Sequence, residues 1–61
     1  MLDKIKSFYK DNDDRVYAYV YYNDETGFYE VHMYDGYAEH PPVILSKLFI
    51  DALDAAKEWT T

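Results

Sequence analysis

The sequence predicts one small α+β domain of α-β-β-α order, in which a β-hairpin packs on a C-terminal amphipathic helix and a short helix precedes the hairpin. Two runs rich in β-branched and aromatic residues, 15–22 and 28–34, are typical of strands. Residues 43–59 carry apolar side chains at helical spacing. A chain of 61 residues has room for one hydrophobic core, so we expect a single domain over residues 1–61.

Residues 2–10 are predicted to form the N-terminal helix. Leu2, Ile5 and either Phe8 or Tyr9 recur at helical spacing, with lysines between them. A segment this short does not hold a helix alone in water, so we expect it to pack against the rest of the domain.

The turn between the two strands sets the register of the hairpin. Asn23 and the acidic residues after it favour the start of a turn, and Gly27 readily supplies a positive φ. We therefore expect a loop of residues 24–27, which places Asn23 opposite Phe28. A slip of one residue would exchange the two faces of the sheet.

In this register the two faces of the hairpin have different chemistry. One face carries the pairs Tyr22–Tyr29, Val20–Val31 and Ala18–Met33, with Val16 beside them. The other face carries Tyr17, Tyr19 and Tyr21, opposite Tyr34, His32 and Glu30. The aliphatic face suits a helix, whereas the second face is aromatic and polar.

After the hairpin, the sequence predicts a turn at residues 35–36. Residues 37–39 are compatible with a short third strand. Pro41 and Pro42 are expected to end the sheet, because proline cannot donate to a strand ladder.

The main helix is predicted over residues 43–59. Either proline suits its first turn, and Ser46 is an alternative N-cap that would move the start to residue 47. The apolar stripe comprises Ile44, Leu45, Leu48, Phe49, Ala52, Leu53, Ala55, Ala56 and Trp59. Ile50 falls near the polar side, where exposure is expected.

Charge and composition exclude several classes of function. From residue 16 onward Lys47 and Lys57 oppose eight acidic residues, so the whole net charge of −6 lies there. This argues against direct binding of nucleic acid or of an anionic membrane surface. No segment is typical of a signal peptide or a membrane span, so we expect a soluble, cytoplasmic protein. Cysteine is absent, which excludes disulfides and cysteine-ligated zinc.

No catalytic motif is present in the sequence. Neither Ser7 nor Ser46 lies in a glycine-flanked nucleophile turn, and the two glycines cannot form a phosphate-binding loop. We therefore expect no enzymatic activity, no cofactor and no metal. A minor metal-dependent enzyme is kept as the least favoured alternative. Its candidate ligands are His32, His40, Asp35 and Glu39, whose spacing matches no zinc motif.

The aromatic face of the hairpin is the leading candidate for function. Its residues, proposed to bind a partner, are Tyr17, Tyr19, Tyr21, His32 and Tyr34. Either the N-terminal helix covers them, or they stay open as an interface, for which tyrosine is well suited. The open arrangement predicts a non-catalytic protein-binding module, such as a regulator, adaptor or inhibitor. Pairing of this face or of a hairpin edge with a second copy also predicts a homodimer.

A second hypothesis concerns the acidic side of the main helix. Asp51, Asp54 and Glu58 align along it, with Lys47 on the same side. Such a row is usually a solvated surface. It is also compatible with an acidic mimic of nucleic-acid phosphates, which would inhibit a DNA- or RNA-handling protein by occupying its basic groove.

Overall fold

A computed structural model describes residues 1–41, 43–44 and 47–61, and only the backbone of Ile44. The described chain forms a sheet of four antiparallel strands and one helix. The elements are β1 (Leu2–Lys10), β2 (Asp13–Asn23), β3 (Phe28–Asp35), β4 (Val43–Ile44) and α1 (Phe49–Trp59). The strands lie in the sheet in chain order, so each one pairs with the next.

The N-terminal segment is a strand, so the predicted N-terminal helix is wrong. β1 pairs antiparallel with β2, with register shifts between Lys4 and Lys6 and between Tyr9 and Lys10. The two strands are joined by a tight turn at residues 11–12, where Asn12 has a φ of 69°. Asparagine tolerates this left-handed conformation better than most residues. The three long strands and the helix therefore follow in β-β-β-α order instead of the predicted α-β-β-α order.

A bulge interrupts the pairing of β1. Lys4 pairs with Tyr21 and Lys6 pairs with Val20, so Ile5 is an extra residue on this strand. The extra residue shifts the alternation of side chains by one position. Leu2 pairs with Asn23 and Phe8 pairs with Ala18, so these two side chains lie on opposite sides of the sheet and their spacing does not mark one apolar face.

The hairpin of β2 and β3 has the predicted register. Asn23 pairs with Phe28, and every expected cross-strand pair is found. The loop is closed by a hydrogen bond of 2.8 Å from the N–H of Gly27 to the carbonyl of Asn23. Gly27 has a φ of 77°, as its place in the turn requires.

The chain between β3 and α1 departs from the prediction. At residues 37–39 no strand forms, and Glu39 makes a single bridge to Tyr34. The chain then returns to the sheet as β4, whose residues pair with Glu30 and Val31. The expectation that the prolines end the sheet is therefore wrong.

Helix α1 begins at Phe49 instead of residue 43. Its N-cap residue, Leu48, has an extended backbone, and its side chain makes no capping hydrogen bond. The β-branched Val43 and Ile44, assigned to the helix from sequence, belong to β4. Pro42, Leu45 and Ser46 lie outside the described residues. No helix in the described part of the chain is long and apolar enough to cross a membrane.

The core lies between α1 and one face of the sheet, which is the predicted aliphatic face. Its fully buried members are Ala18, Val20, Val31, Ala52 and Ala56. The two alanines on α1 let the helix approach the sheet closely. Partly buried side chains surround this core, namely Phe8, Tyr29, Met33, Ala55 and Trp59. The two valines are the largest fully buried side chains, so the core is small even for a short domain.

Candidate protein-binding face

The face of the sheet opposite α1 is lined by aromatic side chains. Directly opposite residues of antiparallel strands point to the same side, so the pairing places side chains of β1, β2 and β3 together there. We call this surface the tyrosine face. Its members are Tyr9, Ser7 and Lys4 on β1, Tyr17, Tyr19 and Tyr21 on β2, and Tyr34, His32 and Glu30 on β3.

The structure brings together the residues that the sequence proposed for partner binding, Tyr17, Tyr19, Tyr21, His32 and Tyr34. The N-terminal segment does not cover them. Instead, β1 extends the surface by one strand, and Tyr9 pairs directly with Tyr17. Sequence reasoning missed the β1 residues because it assigned that segment to a helix.

The rings at one end of the tyrosine face hold each other in place. Tyr17 stacks on Tyr34, with centroids 5.2 Å apart, and on Tyr19, with centroids 4.6 Å apart. Tyr9 packs against Tyr17 at 6.1 Å and edge-on to Tyr19 at 6.3 Å. Each such ring pair contributes about 0.5–1.5 kcal/mol beyond its buried area. The result is a preformed aromatic surface.

A carboxylate fixed by neighbouring side chains lies in the middle of the tyrosine face. Glu30 is 8% exposed. Its Oε2 accepts a hydrogen bond of 3.1 Å from the Asn23 amide, and its Oε1 lies 3.4 Å from His32 Nε2. The His32 ring in turn packs on Tyr21, with centroids 4.4 Å apart. A negative group is thus fixed beside the aromatic rings.

Tyr19 has both a cation and a hydroxyl group as neighbours. The ammonium nitrogen of Lys4 lies 4.3 Å from the centroid of the Tyr19 ring, which is within the range of a cation–π contact. The hydroxyl oxygens of Tyr9 and Tyr19 are 3.4 Å apart. This hydrogen bond, with burial, raises the pKa of Tyr19 to about 12.

The tyrosine face has no helix over it in the described part of the chain. α1, the described element outside the sheet, packs on the opposite side against Ala18, Val20 and Val31. The central rings are half-buried through contact with one another. Tyr9, at the edge, is 52% exposed. An aromatic sheet surface in this state is a candidate contact surface.

The other candidates from the sequence lie elsewhere. His40 is 2.8 Å from Asp35 and packs on Trp59, so it is part of the contact between loop and helix. Within the described residues, no cluster of three or more histidine or acidic side chains could hold a metal. The acidic row of Asp51, Asp54 and Glu58 is exposed along α1.

An open groove of about 470 Å³ lies where the β1–β2 turn meets the end of α1. It is lined by Tyr9, Lys10, Asp11, Lys57, Thr60 and Thr61. These side chains offer charges of both signs, and no buried polar atom in the described residues lacks a hydrogen-bond partner. The groove therefore indicates no particular ligand.

No protein-family model matches the chain, and neither the curated proteins nor the solved structures contain a match. Function is therefore argued from the chemistry of the surface itself.

Proposed function

We propose that this chain is a non-catalytic protein-binding module and that the tyrosine face is its contact surface. The observation that carries the proposal is the asymmetry of the sheet. One face is buried under α1, whereas the other presents stacked tyrosines with no described element above them. Tyrosine is enriched at protein interfaces because its ring contributes large apolar area and its hydroxyl stays hydrated.

The serine and the histidine of the tyrosine face, Ser7 and His32, lie apart on different strands. Ser7 on β1 and His32 on β3 both pair with Tyr19, which lies between them on β2. Two strand spacings of about 4.8 Å therefore separate their backbones. A serine nucleophile needs its base within hydrogen-bond reach, so these two residues do not form a catalytic pair.

The free edge of β1 is a weaker candidate for docking than the tyrosine face. Long exposed edge strands invite pairing with other chains, and lysines and bulges oppose it. β1 carries Lys4, Lys6 and Lys10, and the bulge at Ile5 breaks its regular ladder. These features oppose strand addition and leave the aromatic surface as the favoured contact.

The proposal is tested by crosslinking and reconstitution. A photo-crosslinking residue is placed at Tyr17 on the tyrosine face and, in a second chain, at Tyr37, which is 90% exposed outside that face. The protein captured in cells from position 17 but not from position 37 is identified and purified. Its binding to the unmodified chain is then measured by calorimetry.

The combined variant Tyr17→Ser, Tyr19→Ser and Tyr21→Ser should abolish this binding, and Tyr37→Ser should leave it unchanged. Circular dichroism confirms that each variant is folded. Should the triple variant prove unfolded, the single variant Tyr34→Ser replaces it, with a weakened complex as the expected result. A folded tyrosine-face variant that binds the captured protein as tightly as the natural chain would contradict the proposal.

A further inference from the structure

We infer that the tyrosine face binds a second copy of this chain, in a symmetric dimer whose twofold axis runs parallel to β2. This inference rests on the proposed function and names the partner. Two observations carry it: the unlike charges of the face lie at the same level on opposite sides of β2, and the acidic row of the helix lies behind the sheet.

The side chains of the tyrosine face form three rows across the strands, each with a β2 tyrosine at its centre. A half-turn about an axis parallel to β2 places β1 of one copy over β3 of the other and keeps each row over its own counterpart. The contact is then isologous, with the same patch on both copies. The rows are Tyr9–Tyr17–Tyr34, Ser7–Tyr19–His32 and Lys4–Tyr21–Glu30.

The two charges of the face make it self-complementary under this rotation. Lys4 and Glu30 are the two ends of one row, and both lean towards the middle row. Lys4 Nζ lies 4.3 Å from the centroid of the Tyr19 ring, and Glu30 Oε1 lies 3.4 Å from His32 Nε2. The half-turn therefore brings the cation of each copy towards the carboxylate of the other, and it does so twice. Because Glu30 is 8% exposed, this is attraction between fixed charges and not a new ion pair in direct contact.

The net charge of −6 opposes the association of two copies, and the face-to-face arrangement reduces this repulsion. It leaves α1, with the exposed Asp51, Asp54 and Glu58, on the outer side of each sheet. Packed sheets lie about 10 Å apart, and the two helices lie beyond them. The two acidic rows are thus separated by more than the Debye length of about 8 Å at physiological ionic strength.

The area of the face determines how strong the dimer is. Three strands about 4.8 Å apart, over at most the 34 Å length of the molecule, present a flat area of about 500 Å². A standard interface buries about 800 Å² on each partner. We therefore expect a weak dimer that dissociates on dilution and leaves the rings open to solvent in the free monomer.

The experiment measures the dimer dissociation constant of the full chain by sedimentation equilibrium at fixed ionic strength. Tyr17→Ser should raise the constant at least tenfold, on the order expected for an aromatic residue at the centre of an interface. Lys4→Glu places like charges over each other at both ends of the dimer and should raise it about three- to tenfold. Circular dichroism confirms that each variant is folded, and the exposed Lys4→Glu position keeps the test valid if Tyr17→Ser is unfolded.

Lys6→Glu is the matched control, because it makes the same charge change on the same strand. Lys6 pairs with Val20, so its side chain lies on the other side of the sheet. Its effect should stay below about twofold. In a Glu30→Gln background, which removes the facing charge, Lys4→Glu should also lose most of its effect. Equal shifts in Lys4→Glu and Lys6→Glu would show a general charge effect and overturn the inference.

Two further outcomes would overturn the inference: a chain that stays monomeric at NMR concentrations, and a dimer that Tyr17→Ser leaves unchanged. If a different protein is captured through the tyrosine face while the chain stays monomeric, the proposed function stands and this inference falls. If the chain neither dimerises nor captures a partner through this face, both fall.

Discussion

The indole nitrogen of Trp59 donates a hydrogen bond of 3.2 Å to the main-chain carbonyl of Tyr34. Trp59 is the last residue of α1, and Tyr34 belongs to the tyrosine face, so this bond ties the two sides of the sheet together. The His40 ring packs against the same indole, with centroids 5.0 Å apart. The end of the helix, the loop after β3 and the tyrosine face therefore depend on one another.

Replacement of Trp59 by phenylalanine should destabilise the fold by about 1–2 kcal/mol, because the Tyr34 carbonyl loses its donor and the indole loses part of its contact area. Urea denaturation measures the change. Tyr37→Phe, at a residue that is 90% exposed, serves as the control and should stay near the stability of the natural chain. A Trp59→Phe protein as stable as that control would contradict the role given to the indole.

Asp35 should make stability depend on pH in the acid range. Its carboxylate accepts hydrogen bonds from the N–H groups of Ala38 and Tyr37 and lies 2.8 Å from His40 Nε2. The backbone bond from Ala38, then the His40 contact, lower the pKa of Asp35 from its ordinary value of 3.8 to about 2. A lowered pKa means that the stabilisation is present above pH 4 and is lost as the pH falls towards 2.

The comparison of natural chain and Asp35→Asn tests this dependence. Thermal unfolding from pH 2 to pH 7 should show a higher Tm for the natural chain near neutrality, and the gap should close as the pH approaches 2. Asp54→Asn on the exposed side of α1 is the control, with a small gap at every pH. A gap for Asp35→Asn that stays constant down to pH 2 would show that the carboxylate charge contributes nothing.

The bulge at Ile5 should keep the edge of β1 from pairing with other chains. Deletion of Ile5 restores a regular ladder between Lys4 and Lys6 and straightens the free edge. The deleted chain should associate more strongly with itself than the natural one, as seen by sedimentation velocity. Ile5→Ala keeps the extra residue and should not show this gain. Identical behaviour of the two variants would argue against a protective bulge.

Tyr19 should ionise late in an alkaline titration, because the hydrogen bond with Tyr9 and burial raise its pKa to about 12. Folding thus favours the neutral phenol, and the associated stability is lost as the pH rises from 10 through 12. Titration of the ring carbons by NMR follows the residue individually. Tyr9→Phe removes the first cause and should lower the pKa of Tyr19, and an unchanged value would contradict the assigned cause.

The hairpin could be predicted because its signals are local. Gly27 in the turn and the alternation along 15–22 and 28–34 determine which residues face each other. The five residues proposed for partner binding therefore lie on one face of the sheet in the structure, as the predicted register requires. The contributions of Tyr9, Ser7 and Lys4 could not be found in this way, since they depend on the pairing of β1.

The errors occurred where distant pairing decides the local structure. β1 forms a strand because β2 offers it a ladder, and the bulge at Ile5 conceals the alternation that would have indicated a strand. The start of α1 is later than predicted because Val43 and Ile44 pair with β3. Neither pairing partner is visible in a window of sequence around these residues.

The accessibility of the tyrosine rings in the free chain tests the central claim most directly. A soluble paramagnetic chelate broadens NMR signals according to their distance from solvent. The ring signals of Tyr17, Tyr19 and Tyr34 should broaden strongly, whereas the methyl signals of Val20 and Val31 under α1 should not. Tyrosine rings as protected as those two valines would show that the face is covered in the free chain and would contradict the account.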